Sequence, residues 1–341
     1  MPAADAQPTV PRSGPDHFPK IELHVHLEGS VRPATLLEIA RRNGESLPAD
    51  SEEGLRELFT FTGFEHFIQV WIVTTFVLQR ARDFRQITVD YAAQAAAQGC
   101  VYIEGIFSPA EPVVRGVSWE EIFEGYCDGI EEARERHGVE MRLTPDITRV
   151  FDRELGEETA LHAVSYRERG VVGIGLGGPE DPPEPFAGAF AVARAGGLGS
   201  VPHAGEAAGP ASIWGALTAL QADRIRHGIR AVEDPALLAE LAARGTVLDV
   251  TPISNVRLGI VPSLEEHPLP RLRAAGVACS ISTDDPGLMG TDLTQDYAAA
   301  ARLGVSAREA YEAGLAGALC DEPTRQRLKA IGEAFDWASL E

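Results

Sequence analysis

Apolar positions along the chain fall in short runs, separated by longer stretches in which they recur at helical spacing. Eight runs have the length and composition of strands: 20–26, 100–107, 140–146, 171–176, 200–203, 224–227, 246–250 and 277–282. The intervening stretches carry helix signals. Residues 119–137 follow Ser118, an N-cap residue type, with Glu120 and Glu121 in the first turn, and residues 234–244 stop at Gly245. Strands and helices alternating in this number predict an α/β fold, a closed parallel (β/α)8 TIM barrel. One crossover is oversized. Residues 27–99 hold Phe59, Phe61, Phe64, Phe67, Trp71 and Phe76 at near-helical spacing, which predicts a helical insertion packed on the barrel and capping its mouth.

The chain has 341 residues, in range for such a barrel, with no short repeat and no low-complexity linker. One domain, 19–341, is expected behind a loose Pro- and Ala-rich leader, 1–18. The leader has neither the basic start nor the apolar core of a signal peptide. Apolar runs are too short and interrupted for a membrane span, so a cytoplasmic protein is expected. Cys100, Cys127, Cys279 and Cys320 are widely spaced, without C-x-x-C, which argues against a disulfide framework or a cysteine metal site. The net charge of −21 disfavours nucleic acid and anionic membrane surfaces as partners and makes a highly anionic substrate less suitable unless a local patch offsets it. Oligomeric state is not legible.

Catalytic groups of a (β/α)8 barrel sit at the C-terminal ends of its strands. Here the first strand ends in His24 and His26, two positions apart and therefore on one face. The fourth ends in Gly175-Leu-Gly-Gly178-Pro-Glu180. The fifth runs into His203-Ala-Gly-Glu206, the sixth ends at Arg226-His227-Gly228, and the eighth runs into Ser282-Thr-Asp284-Asp285-Pro. Three imidazoles and a carboxylate form a donor set suited to zinc, with a position left for water. His24, His26, His203 and Asp284 are therefore assigned as ligands of one Zn2+ per chain. Zinc lowers the pKa of its water to near neutrality. Glu206, His227 and Asp285 remain for proton transfer and substrate recognition.

The runs His-Val-His-Leu-Glu-Gly, His-Ala-Gly-Glu, Arg-His-Gly and Ser-Thr-Asp-Asp-Pro, in this order and spacing, resemble the adenosine deaminase family of the amidohydrolase superfamily. The resemblance extends from about Pro19 to Trp337. It implies a zinc-dependent hydrolase that exchanges the 6-amino group of an adenine compound for oxygen with loss of ammonia. By the resemblance, Glu206 protonates purine N1 and His227 orients and deprotonates the zinc water. Asp285 hydrogen-bonds N7, and the backbone of Gly178 donates to N3. Zinc deaminases of the His/Cys/Cys type are excluded by the cysteine spacing. Superfamily members with two metals bridge them through a lysine at the end of the fourth strand. Lys20 and Lys329, the only lysines, are elsewhere, so one metal is expected.

Two departures bear on the substrate. Adenosine deaminases carry Asp where this chain has Glu28, a position expected near the ribose 5′-hydroxyl. They also show Asp-Leu-Ala-Gly-Asp-Glu against 175–180 here, which predicts a reshaped pocket beyond the purine. Adenosine and a 5′-extended nucleoside such as the menaquinone precursor 6-aminodeoxyfutalosine stand level as substrates. Free adenine comes next, and phosphorylated compounds come last because no phosphate loop is present. A silent barrel that binds zinc and purine without turnover is the alternative outside enzymes, and the presence of both Glu206 and His227 argues against it.

Overall fold

All strand pairing is parallel. The segments are β1 (Lys20–His26), β2 (Cys100–Ile106), β3 (Glu140–Leu143), β4 (Asp146–Thr148), β5 (Gly173–Gly177), β6 (Gly199–Ser200), β7 (His203–Ala204), β8 (Arg224–His227), β9 (Val247–Val250) and β10 (Cys279–Ile281). The structure is a computed structural model and describes residues 17–340, so most of the expected leader lies outside the described residues. Three sheets, β1-β2-β3, β4-β5-β6 and β10-β9-β8-β7, form the wall of an α/β barrel, as the sequence predicts. The seam between first and last strands closes through a parallel bridge, Val25 with Asp284. There the His26 N–H donates to the Asp284 carbonyl at 2.7 Å.

Two predicted strands are each split in two, between β3 and β4 and between β6 and β7. Pro145 and Pro202 stand at the breaks. A proline has no N–H to give to the ladder, yet both carbonyls still accept, from Gly175 and Arg226. The barrel therefore bends at these points without losing closure.

Period-two alternation sorts the strand residues into two environments. Ile21, Leu23, Val25, Ile103, Ile225 and Leu248 belong to apolar clusters outside the barrel. The interior instead carries a polar ladder. Arg224 is fully buried between Glu104 and Asp249, with Nη2 to Glu104 at 2.7 Å and Nε to Asp249 at 2.5 Å. Glu22 accepts from both the N–H and the hydroxyl of Thr283. Paired and hydrogen-bonded, these charges can remain in the interior.

The helix Trp119–His137 is capped by Ser118, whose hydroxyl accepts from Glu121 N, and packs against the helix Ala81–Ala97 of the long insertion. The insertion also forms the helices Pro33–Asn43, Glu52–Leu58 and Phe64–Thr75. The last of these seats Phe67 and Trp71 on Leu258, Leu288 and Met289, in a cluster separate from the main core. No helix among the described residues is long and apolar enough to cross a membrane.

Candidate active site

Donor atoms of His24, His26, His203 and Asp284 all lie within 4.8 Å of one another. The closest separations are 3.1 Å from His24 Nε2 to Asp284 Oδ1, 3.2 Å from His26 Nε2 to His203 Nε2 and 3.5 Å from His26 Nε2 to Asp284 Oδ1. Ligands about 2 Å from a tetrahedral ion stand roughly 3.3 Å apart, so the donor set fits a zinc-sized cation. The free edges of the imidazoles are held from behind. His203 Nδ1 faces the Leu176 carbonyl at 3.1 Å, and His24 Nδ1 faces that of Asp249 at 3.5 Å, which leaves each Nε2 to the common point. Ser254 Oγ donates to Asp284 Oδ2 at 2.6 Å. Burial pushes His26 down to about 3 and His203 well below the usual histidine range, so both imidazoles are neutral and able to ligate.

Glu206 and His227 complete a second group with Asp284, with His227 Nε2 3.4 Å from Glu206 Oε2. Burial, with Asp284 and Glu180 nearby, pushes the Glu206 carboxyl well above the usual range, which favours its protonated form. Burial drives His227 the other way, to the neutral imidazole. A carboxyl biased toward its acid form therefore faces a neutral imidazole across the site. His227 and Asp284 both adopt positive φ, 63° and 69°. Non-glycine residues held there cost about 1–3 kcal/mol each and persist where surrounding structure imposes them.

These groups line the floor of a cavity of about 380 Å³. Its walls come from Phe64, Phe67, Ile68 and Trp71 of the insertion, Thr148 and Phe151 after β4, and Gly178 and Pro179 after β5. Asp285 lines it as well, and burial followed by the charge of Asp284 pushes its carboxyl well above the usual range. Gly29 is required beneath it, because a Cβ there would overlap Asp285 Oδ1. Glu28 departs from expectation. It does not line the cavity; it is buried behind the wall, where Oε1 accepts from Ser108 N at 2.8 Å. His17, His66, His137 and His162 do not line it either. Arg257 points to solvent, whereas Asn255 is buried and donates to Glu206 Oε1 at 3.1 Å. His267 holds Asn255 from its far side at 3.2 Å and accepts from Leu269 N.

The segment 175–180 works differently from its sequence reading. A Cβ on Gly175 would overlap Asp146 Oδ1 and Arg226 Nη1. The carboxylate missing at 175 is thus supplied from the adjoining strand by Asp146, which pairs with Arg226 and stands 3.3 Å from His203 Nδ1. Glu180 lines the cavity, and its carboxylate reaches the loop after β7. It accepts from the N–H groups of Gly205, Glu206, Ala207 and Ala208 and from Ser212 Oγ, fixing the segment that carries Glu206. Sequence reasoning missed Asp146, Glu180 and Ser254 as supports. For Asp146 a signal existed, an acid closing the predicted strand 140–146 at its C-terminal end.

Residues 19–331 match the model of a family described as adenosine deaminase. The chain is 53% identical over 328 residues to an aminodeoxyfutalosine deaminase of Acidothermus cellulolyticus, covering 94% of this chain and 92% of that one. The structure of an adenine deaminase from Arthrobacter aurescens superposes with a TM-score of 0.89 at 30% identity, covering 94% of this chain and 99% of the other. An amidohydrolase from Burkhoderia ambifaria with bound Zn superposes at 0.85 with 28% identity, covering 94% and 90%.

Proposed function

The chain belongs to the adenosine deaminase family, and we propose that it is a zinc-dependent hydrolase that converts the 6-amino group of a 5′-extended adenine nucleoside, 6-aminodeoxyfutalosine foremost, to a 6-oxo group with release of ammonia. What carries this reading is the convergence of four metal-donor side chains with a carboxyl pushed toward its acid form and a neutral imidazole on the floor of one cavity. The 53% identity to an aminodeoxyfutalosine deaminase favours the extended nucleoside over free adenine. The apolar width above the floor favours it too.

His24, His26, His203 and Asp284 would hold the metal, which when bound would supply a water acidified to near neutrality. Glu206, protonated, donates to N1 and makes C6 electrophilic; a glutamate in its ordinary range could not. His227, neutral, accepts a proton from the attacking water and is placed to return one to the departing amine. N7 is an acceptor, so Asp285 can bond it only as a protonated carboxyl, the form burial favours. The backbone of Gly178, at the cavity wall, is left to N3. The substrate is then a small molecule, with water as co-substrate. The test is ammonia release from 6-aminodeoxyfutalosine, adenosine and adenine, compared by kcat/KM. The extended nucleoside should lead adenosine by tenfold or more, and adenine leading both would overturn the substrate assignment.

A further inference from the structure

The helix Leu269–Ala274 opens with an N–H that has no partner inside the helix. It finds one just before itself, where Leu269 N donates to His267 Nδ1 at 3.1 Å. His267 is buried, and burial holds it down to about 4, so the ring is neutral and carries one proton. A backbone N–H cannot reverse its role. With Nδ1 accepting, the ring proton sits on Nε2, which donates to Asn255 Oδ1 at 3.2 Å.

That choice is passed on to the site. Asn255 is fully buried, and with Oδ1 turned to His267 its Nδ2 is the end that meets Glu206. Nδ2 donates to Glu206 Oε1 at 3.1 Å and lies 3.4 Å from His227 Nδ1, whose nearer partner is Thr251 Oγ1 at 3.2 Å. An oxygen that accepts from an amide is the carbonyl oxygen of a carboxylic acid. The acid proton then belongs to Oε2, the oxygen that faces His227 Nε2. A reversed amide would do the opposite. Its Oδ1 would draw the proton onto Oε1, away from His227, and would accept from a His227 Nδ1–H as well. Both neighbours in the site would tolerate that reversal; among the described residues, His267 is what opposes it.

We propose that His267 is a positioning residue for the deamination: through Asn255 it places the transferable proton of Glu206 on Oε2, where the purine ring nitrogen can take it. The proposal rests on the reading of Glu206 as the acid. His267 does not line the cavity and acts only through the amide. Leu269, His267 and Asn255 each donate to the next member, which leaves Glu206 to donate into the site.

Two measurements test this. In protein labelled with 15N-histidine, the His267 signals, identified by their loss in His267→Gln, should show Nε2 protonated and Nδ1 bare. A proton on Nδ1 would overturn the proposal whether or not any variant folds. His267→Phe fills the space without a donor and releases the amide. With an adenine nucleoside its kcat should fall about 10- to 100-fold while KM stays within about threefold of native. His267→Gln, which can set an amide N–H where Nε2 stands, should keep kcat within about threefold of native. In a Glu206→Gln background no acid proton remains to be placed, and His267→Phe should lower kcat no further. Native kcat in His267→Phe, equal losses in the Phe and Gln variants, or full additivity with Glu206→Gln would overturn the proposal and leave His267 as a helix cap. Failure of the native protein to release ammonia from 6-aminodeoxyfutalosine, adenosine or adenine would instead sink the underlying functional reading, which the His267 tautomer does not test.

Discussion

Glu206 must be an acid at a pH where a solvated glutamate is not. Burial, with Asp284 and Glu180 close by, provides for this, and Asn255 and His267 fix its orientation. Glu206→Gln keeps the shape and removes the transferable proton. It should lower kcat by about 10²- to 10⁴-fold while metal content and binding of a purine inhibitor stay near native; unchanged kcat would remove Glu206 from the chemistry. The same shift has a cost in stability. From about pH 4.5 up to its raised folded value, Glu206 holds a proton that the unfolded chain has released, so stability falls as pH rises through that window. Denaturant titration at pH 6 and 8 should therefore show a shallower decline in Glu206→Gln than in the native protein. Asp146 is the second residue that matters here. Asp146→Asn leaves His203 without its carboxylate and Arg226 without its charge partner. Competition with a chelator should show metal affinity weakened about 10- to 100-fold, and native affinity in that variant would contradict the support assigned to Asp146.

At the scale of elements, strands were legible wherever period-two alternation was uninterrupted: 20–26 and 224–227 were read to the residue. The split segments were read as continuous because Pro145 and Pro202 interrupt hydrogen bonding without interrupting the apolar pattern. The motif residues that converge could be named from sequence because each lies near or just beyond the C-terminal end of a strand. Glu180 and Ser254 could not, because the backbone N–H groups that Glu180 accepts from and the Asp284 carboxylate that Ser254 donates to are brought near only by folding. Glu28 shows the reverse limit, a motif residue whose side chain turns away from the cavity. The helix Phe64–Thr75 has its own character. It starts at Gly63 without a side-chain cap, packs on a satellite cluster, and leaves Ile72 and Val73 exposed. Such segments open locally at low free energy. Amide exchange in 64–75 should be at least tenfold faster than in β1 and β8, and a bound nucleoside should slow it. Equal protection without ligand would argue against an adjustable wall.

Over the whole molecule, residues distant in sequence meet at the barrel seam. His24 and His26 end the first strand, Asp284 follows the last, and the bridge from Val25 to Asp284 closes the wall where the metal donors gather. Asp284 thus belongs both to the candidate metal donors and to the bridge that closes the barrel, and its backbone holds a positive φ there. The central claim is that one metal ion held by four side chains activates the water that displaces the amine. Its most direct test is to strip the protein with a chelator and titrate zinc back while recording ammonia release from an adenine nucleoside. Activity should rise linearly and break at one equivalent per chain. A break at two equivalents, or full turnover in the stripped protein, would contradict the account.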